Sequence, residues 1–543
     1  MDFDCQPLAG LPRTSKLFSD YLEHFPKVQK FYGHSPDDAG VQAAAREVRL
    51  DEKVRAAVVG VLREQNARVA GARGEIDPSV EKNIDRLETG AVAVVTGQQV
   101  GLFGGPAYSF YKALSAIAWA EKLTASGTEA VPVFWMATED HDVAEVDHCF
   151  WTTGEGIEPL AVQVDSKYLG HQTGEIRLDE QVEAVVKKAA AGLVGVGKGT
   201  AEIQRILKES YTAADTFGSA FAQLMARVMA GRGLILLDPR DARLHKIAAP
   251  LIARAIQEAK GLREALVERG KELGKAGYHV QVKVAGETTL LFMQQDGRRE
   301  ALRASGEKFK AGKKAYTQAE LIEKLEREPE AFTPSALLRP VVQDALLPTA
   351  AYVGGPAEVA YYAQTEVLYK RLAGRMPAIL PRASFTIIEP HVKRLLQKYK
   401  LTLREIFEGR QAVRAALAKG SLPSGLARRF AADEREMKRS LEKYRTLLQK
   451  LDKTLVGALE TAERKMAYQL TRLKTKAGRA EGLRKGVIER HERMLTESLW
   501  PEKALQEREI CLVPMLARYG MELLDELGKR AAEVPAKHCV VTL

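Results

Sequence analysis

The segment "TGQQVGLFGGPAYSFYK", Thr96 to Lys112, sets four glycines and two adjacent glutamines between an apolar run and a helix-forming stretch. At the carboxyl end of a parallel strand, backbone N–H groups and the next helix N-terminus point outward, and open α/β sheets hold ligands there. Glycines at 97, 101, 104 and 105 let a backbone approach a phosphate or carboxylate closely, while Gln98 and Gln99 offer both donors and acceptors. Pro106 then opens the helix where no N–H is needed. Thr96, Gly97, Gln98, Gln99, Gly104, Gly105 and Pro106 are therefore candidates for binding substrate or nucleotide, and Lys112 is a candidate to balance developing negative charge. A glycine-rich turn also serves backbone geometry alone, and the residues leave both readings open. The turn is neither the GxGxxG fingerprint nor a Walker A loop.

The next apolar run ends in "ATEDHD", Ala137 to Asp142. Glu139, Asp140 or His141 could take a proton from an attacking amine, a role worth roughly 10² to 10⁴ in rate. Asp142 joins them as a binding candidate. The acids could instead hold Mg²⁺ through water, or the loop could simply cap a helix and face solvent. His141 and His148 match no helical ligand pair and have no visible third partner, so no metal ligands are assigned.

A second "GGP", Gly354 to Pro356, repeats the turn chemistry after "TAAYV". Glu358, Tyr361 and Gln364 fall in the first two turns of the following helix, with Glu358 and Tyr361 on one face. Tyr361 and Tyr362 also fit core packing. "LPRASFTIIEP" then places Arg382 and Ser384 at another strand end, where arginine suits a carboxylate or phosphate bidentately. "GEKFKAGKK" from Gly306 has one residue too many for Walker A and no Ser or Thr after its lysine, so it reads as a solvated basic loop.

The elements that must position these loops read as α/β. "AVAVV" from Ala91, "VPVFWMA" from Val131, "GLILLDP" from Gly233, "TAAYVGG" from Thr349 and "PAILPR" from Pro377 alternate with amphipathic segments, the rhythm of a parallel sheet. Residues 1–90 read as a helical lead-in and 91–390 as the core, broken by insertions near 150–210 and 274–330. Met437, Leu441, Tyr444, Leu448, Leu451 and Leu455 form a heptad seam within a helical region, 391–505. Gly478, Gly482 and Gly486 are expected to turn that seam into an antiparallel hairpin. Residues 506–543 return to the core, where "HCVVTL" could add a last strand.

With 543 residues the chain needs two to four folding units. The net charge of +10, from 81 basic and 71 acidic residues, is compatible with anionic substrates or nucleic acid and requires neither. No stretch approaches about 18 consecutive apolar residues, and the acidic start lacks a leader-like apolar run, so a cytoplasmic protein without membrane contact is expected. The four cysteines show no CxxC spacing, which predicts reduced thiols rather than a disulfide framework.

In "TGQQVGLFGGPAYSFYK", "VPVFWMATEDHDVAEVDH", "LLRPVVQDALLPTAAYVGGPAEVAYYAQ" and "LPRASFT", with "AGYHVQV" at Ala276 and the coiled coil, the chain resembles end to end the cysteine-adding enzymes of bacillithiol biosynthesis. The resemblance implies a Rossmann-like core related to class I synthetases and nucleotidyltransferases, with connecting-peptide insertions and a coiled coil that makes a homodimer. It also implies a ligase that joins the carboxyl group of cysteine to the amine of glucosaminyl malate. ATP is the expected activator, with Mg²⁺ an option. One departure is Ser335, where the family is expected to carry Asn, and Ser335 is left out of the site for that reason. Two rival readings remain: an RNA-binding protein gripping phosphates with "RLKTKAGRAEGLRKG" from Arg472, although nucleic acid is not the expected partner, and a scaffold whose coiled coil is its function.

Overall fold

In a computed structural model describing residues 1–69, 75–154, 156–195, 197–420, 424–484, 486–533 and 536–543, all five apolar runs are strands of one parallel sheet. The order is Ala378–Pro381, Thr349–Gly354, Val92–Gln98, Ala130–Met136, Ile235–Leu237. Each is buried almost throughout, as a sheet covered on both faces requires. Alternate residues enter different cores: Val131, Val133 and Trp135 pack to one side, Phe134 and Met136 to the other.

The turn after Val92–Gln98 is tight because of its glycines. A Cβ on Gly97 would lie 2.8 Å from the Trp135 carbonyl. Gly104 has φ +89° and faces the Phe110 ring, so any side chain there is both strained and blocked. The helix Tyr108–Ala125 then crosses back over the sheet.

The 274–330 insertion is largely a five-stranded antiparallel sheet: Lys314–Tyr316, Lys308–Ala311, Arg298–Ser305, Thr288–Gln295 and, just beyond it, Phe332–Pro334. The basic segment from Gly306 is not a loop but contributes two of these strands, with Gly306 and Gly312 at positive φ in the turns. The 150–210 insertion carries the hairpin His148–Thr153 with Gly156–Ala161, then helices Gln181–Ala191 and Thr200–Ser210.

Both ends of the chain differ from expectation. Asp2–Pro7 is a strand ahead of the lead-in helices, and Lys537–Thr542 lies between it and Ser384–Ile388 in a separate three-stranded sheet rather than extending the parallel one. That register sets Cys5 opposite Cys539, and the two sulfurs are bonded, correcting the expectation of reduced thiols for this pair. Cys149 and Cys511 are free and buried.

The heptad seam from Met437 to Leu451 lies on the helix Ser424–Leu451, while Leu455, its last position, begins the helix Leu455–Arg484 after residues 452–454. The hairpin of the seam turns at Asp452, whose carboxylate accepts from the Thr454 N–H at 2.8 Å; of the three glycines, Gly486, at φ +60°, does precede the expected new helix, Val487–Leu499. Gly478 and Gly482 lie inside the second helix, and the three residues 452–454 suffice for the antiparallel return. Arg445 to Glu460 ties the two helices at 3.2 Å. No helix among the described residues is long and apolar enough to cross a membrane.

Candidate functional site

Four strand ends meet in one cleft of about 580 Å³. Gly97, Gln98 and Gln99 close the first strand, and Glu139, Asp140 and His141 follow the second. Tyr352, Gly355, Glu358 and Tyr361 come from the third strand and its helix, and Arg382 follows the fourth. Phe292, Arg299, Pro334 and Ser335 of the antiparallel insertion form the opposite wall, and Arg508 the rim. The volume suits a small-molecule site. A second cavity of about 350 Å³ adjoins it, sharing Pro356, Ala357, Arg382 and Arg508 and reaching Ser384.

Lys112 and Glu358 brace the floor. The Lys112 Nζ donates to the Gly97 carbonyl at 2.8 Å and to Gln98 Oε1 at 2.9 Å, and pairs with Glu358 Oε2 at 2.5 Å. Glu358 also accepts from the Gly355 N–H at 2.7 Å and the Tyr352 hydroxyl at 2.6 Å. The strand end at Gly97 and Gln98 and the GGP turn at Gly355 are thus held to one buried ion pair. Burial works against the Glu358 carboxylate, but Lys112 and those two donors hold its pKa below the ordinary glutamate value. Since Lys112 has three donors and three acceptors, it acts on a ligand through the loop it holds.

The acidic loop is divided by its partners. Glu139 Oε1 lies 3.1 Å from His245 Nε2, with both side chains 9% exposed. Burial opposes charge on His245, yet Glu139 and the Phe332 backbone raise it above the ordinary histidine value. Asp140 accepts from Gln99 Nε2 at 3.0 Å and from the His141 N–H at 2.7 Å. Burial would raise Asp140, but His141, Gln99 and the Arg299 guanidinium outweigh it and hold the carboxyl at about 2. It is therefore ionised at neutral pH and weakly basic. Because the folded value lies below the ordinary aspartate value near 3.9, the stabilisation is complete above about pH 4 and lost as pH falls toward about 2. Asp140→Asn is expected to flatten the unfolding midpoint over that interval; a midpoint that falls as steeply as in the wild type would rule this out.

Arg382 is 5% exposed and already paired, Nη2 donating to Glu507 Oε1 at 2.7 Å and Nη1 to the Ala383 carbonyl at 2.8 Å. The Arg508 guanidinium makes no hydrogen bond or ion pair among the described residues, which leaves it for an anion at the cleft mouth.

The family model described as "Bacillithiol biosynthesis BshC, N-terminal Rossmann-like domain" matches residues 1–383, and its companion, the "C-terminal coiled-coil domain", matches 385–543. The chain belongs to the BshC family. It is similar to the "Putative cysteine ligase BshC" of Koribacter versatilis (strain Ellin345), 43% identical with 99% of each chain covered. The protein of the same description from Solibacter usitatus (strain Ellin6076) is 36% identical over 96% of each chain. That of Bacillus cytotoxicus is 27% identical over 97% of this chain and 98% of its own.

In this BshC-family chain the motif residues separate into those at the cleft and those behind it. Gly97, Gln98, Gln99, Lys112, Glu139, Asp140, His141, Gly355, Glu358, Tyr361 and Arg382 line the cleft. Gly354 and Ser384 line the adjoining cavity, where the Ser384 hydroxyl contacts Glu507 at 2.9 Å and His538 Nδ1 at 2.7 Å. The others lie outside. Thr96 Oγ1 donates to the Val353 carbonyl, staying between strands. Gly104, Gly105 and Pro106 turn toward the helix and Cys511. Asp142 caps the Val143–Glu145 turn. Gln364 bonds the Val282 N–H and carbonyl, pinning "AGYHVQV" against the cleft wall.

Sequence reasoning missed Tyr108, Arg299, Ser335, Arg339 and Arg508. Arg299 and Arg508 lie far from every motif in sequence and reach the cleft only through the fold. Ser335 was set aside as a family departure, yet its buried hydroxyl lacks a hydrogen-bond partner and the residue lines the cleft. Arg339 directly follows "SALL" and donates to the Tyr361 hydroxyl at 3.1 Å, so the motif itself held that signal.

Proposed function

We propose that this chain joins the carboxyl group of L-cysteine to the amine of glucosaminyl malate, forming the amide of bacillithiol. The observation that carries the reading is the convergence of four strand-end loops on one cleft holding acids on one wall and a free guanidinium at the mouth. Membership of the BshC family, whose relatives bear the name cysteine ligase, supports it.

A free carboxylate is a poor electrophile, so the cysteine carboxyl is activated first. ATP transfers an adenylyl or phosphoryl group to a carboxylate oxygen, releasing pyrophosphate or ADP. The amine then adds to the acyl carbon, its proton passes to the protein, and AMP or phosphate departs with the C–O electron pair. Glu139 is the acceptor that fits, since Asp140 is too weakly basic. Mg²⁺, if brought by the nucleotide, would have to be held chiefly by phosphate oxygens and water, since the described residues form no group of three His, Cys, Asp or Glu side chains able to hold it.

Arg508 is assigned to a malate carboxylate. Arg508→Ala should raise the KM for glucosaminyl malate about tenfold or more while kcat stays near wild type, the effect of losing one hydrogen-bonded charge partner. If the KM for cysteine rises instead, the assignment is wrong.

The coiled coil is proposed to pair two copies. Tyr444, Leu447 and Leu451, with Met466, Tyr468 and Leu473 of the returning helix, are left exposed within one chain. The decisive experiment incubates purified protein with cysteine, glucosaminyl malate and ATP. Bacillithiol together with AMP or ADP is expected, the nucleotide product identifying the intermediate; no bacillithiol refutes the ligase reading.

A further inference from the structure

Arg299 stands on the strand Arg298–Ser305, outside every motif that carries the family resemblance. Its guanidinium is fixed on all sides. Nε donates to Thr333 Oγ1 at 2.9 Å, Nη2 donates to the Pro334 carbonyl at 2.7 Å, and Cζ lies over the Phe292 ring, 3.9 Å from its centroid. The side chain is 8% exposed. Nη1 is directed at His141 Nδ1, at 3.0 Å.

A guanidinium only donates and stays charged. Nδ1 of His141 is therefore the acceptor, and the ring carries its proton on Nε2. A proton on Nδ1 would set two donors against each other and break the contact, and a doubly protonated ring would also bring two cations together. Asp140 Oδ1 accepts the His141 backbone N–H at 2.7 Å and lies 3.6 Å from His141 Nδ1, beyond hydrogen-bond reach of that nitrogen, and 3.9 Å from Arg299 Nη1. Nε2 has no hydrogen-bond partner among the described residues, in a ring that lines the cleft.

We infer that Arg299 is a positioning residue that locks His141 as an Nε2–H donor, and that His141 gives this hydrogen bond to the oxyanion formed on the activated acyl group instead of acting as the base. The second half rests on the ligase reading. As the amine adds, the carbonyl π pair moves onto oxygen, where Nε2–H meets it. On collapse the pair returns, the bond to the phosphoryl oxygen breaks, and the amine proton goes to Glu139. A donor of this kind is worth about 10² to 10³ in kcat.

Two experiments test the inference separately. Long-range proton–nitrogen spectra of ¹⁵N-histidine-labelled protein without ligands, with His141 assigned by its loss in His141→Gln, should show the Nε2–H tautomer at neutral pH. Arg299→Lys should keep that pattern and Arg299→Met should shift it toward a mixture. An Nδ1–H or imidazolium pattern in the wild type, or no change in Arg299→Met, overturns the locking role. In turnover, His141→Gln should stay within about tenfold of wild-type kcat because its amide N–H replaces Nε2–H, whereas His141→Ala should lose about 10² to 10³. A folded His141→Gln as inactive as His141→Ala overturns the donor role. If the wild type makes no bacillithiol, the ligase reading falls while the spectra still decide what Arg299 does.

Discussion

Replacing Glu139 with glutamine is expected to lower kcat by about 10² to 10⁴, the cost of losing a positioned proton acceptor. The amine nucleophile must shed a proton as the C–N bond forms, and glutamine keeps the size of the side chain but cannot accept one. His245, 3.1 Å behind it, is partnered by either side chain, so the fold should tolerate the change. The measurement is single-turnover amide formation at saturating substrates, with the thermal midpoint as a control for folding. A Glu139→Gln protein within tenfold of wild type would exclude Glu139 as the acceptor and return the proton to solvent.

Lys112→Met should cost about 3–5 kcal/mol of stability, the usual effect of stranding one partner of a buried ion pair. Methionine fills the space of the lysine stem, so the loss is chiefly electrostatic. It leaves Glu358 to the Gly355 N–H and the Tyr352 hydroxyl, and leaves the Gly97 carbonyl and Gln98 without their donor. Adding Glu358→Gln removes the stranded charge, and the double variant should be more stable than the sum of the two single losses. Urea unfolding of the four proteins gives the coupling directly. Strict additivity, or a loss below about 1 kcal/mol for Lys112→Met, would mean the pair does not brace the two turns.

Much of the architecture could be read locally. Five apolar runs rich in Val, Ala and Leu became the five parallel strands because a sheet covered on both faces needs continuous apolar segments. The convergence of Gln98, His141, Glu358 and Arg382 was legible for a related reason: parallel strands all present their carboxyl ends at one edge. The coiled-coil helices followed from their seam, but the place of their turn did not. Glycine signals a break only weakly inside a helix stabilised by packing, and Gly478 and Gly482 stayed helical.

What only the tertiary structure decided was pairing between distant segments. Lys112 looked like a free cation and proved to be held by Glu358, since a long side chain does not declare which acceptors will surround it. Cys5 and Cys539, 534 residues apart, have no spacing signal and meet because two terminal strands share a register. Arg299 comes to His141 from an inserted sheet whose own alternation says nothing about the core beneath it. Periodicity and turn chemistry act over a few residues and so are written in the sequence. Burial and charge pairing depend on what the rest of the chain brings alongside, and only the folded molecule supplies that.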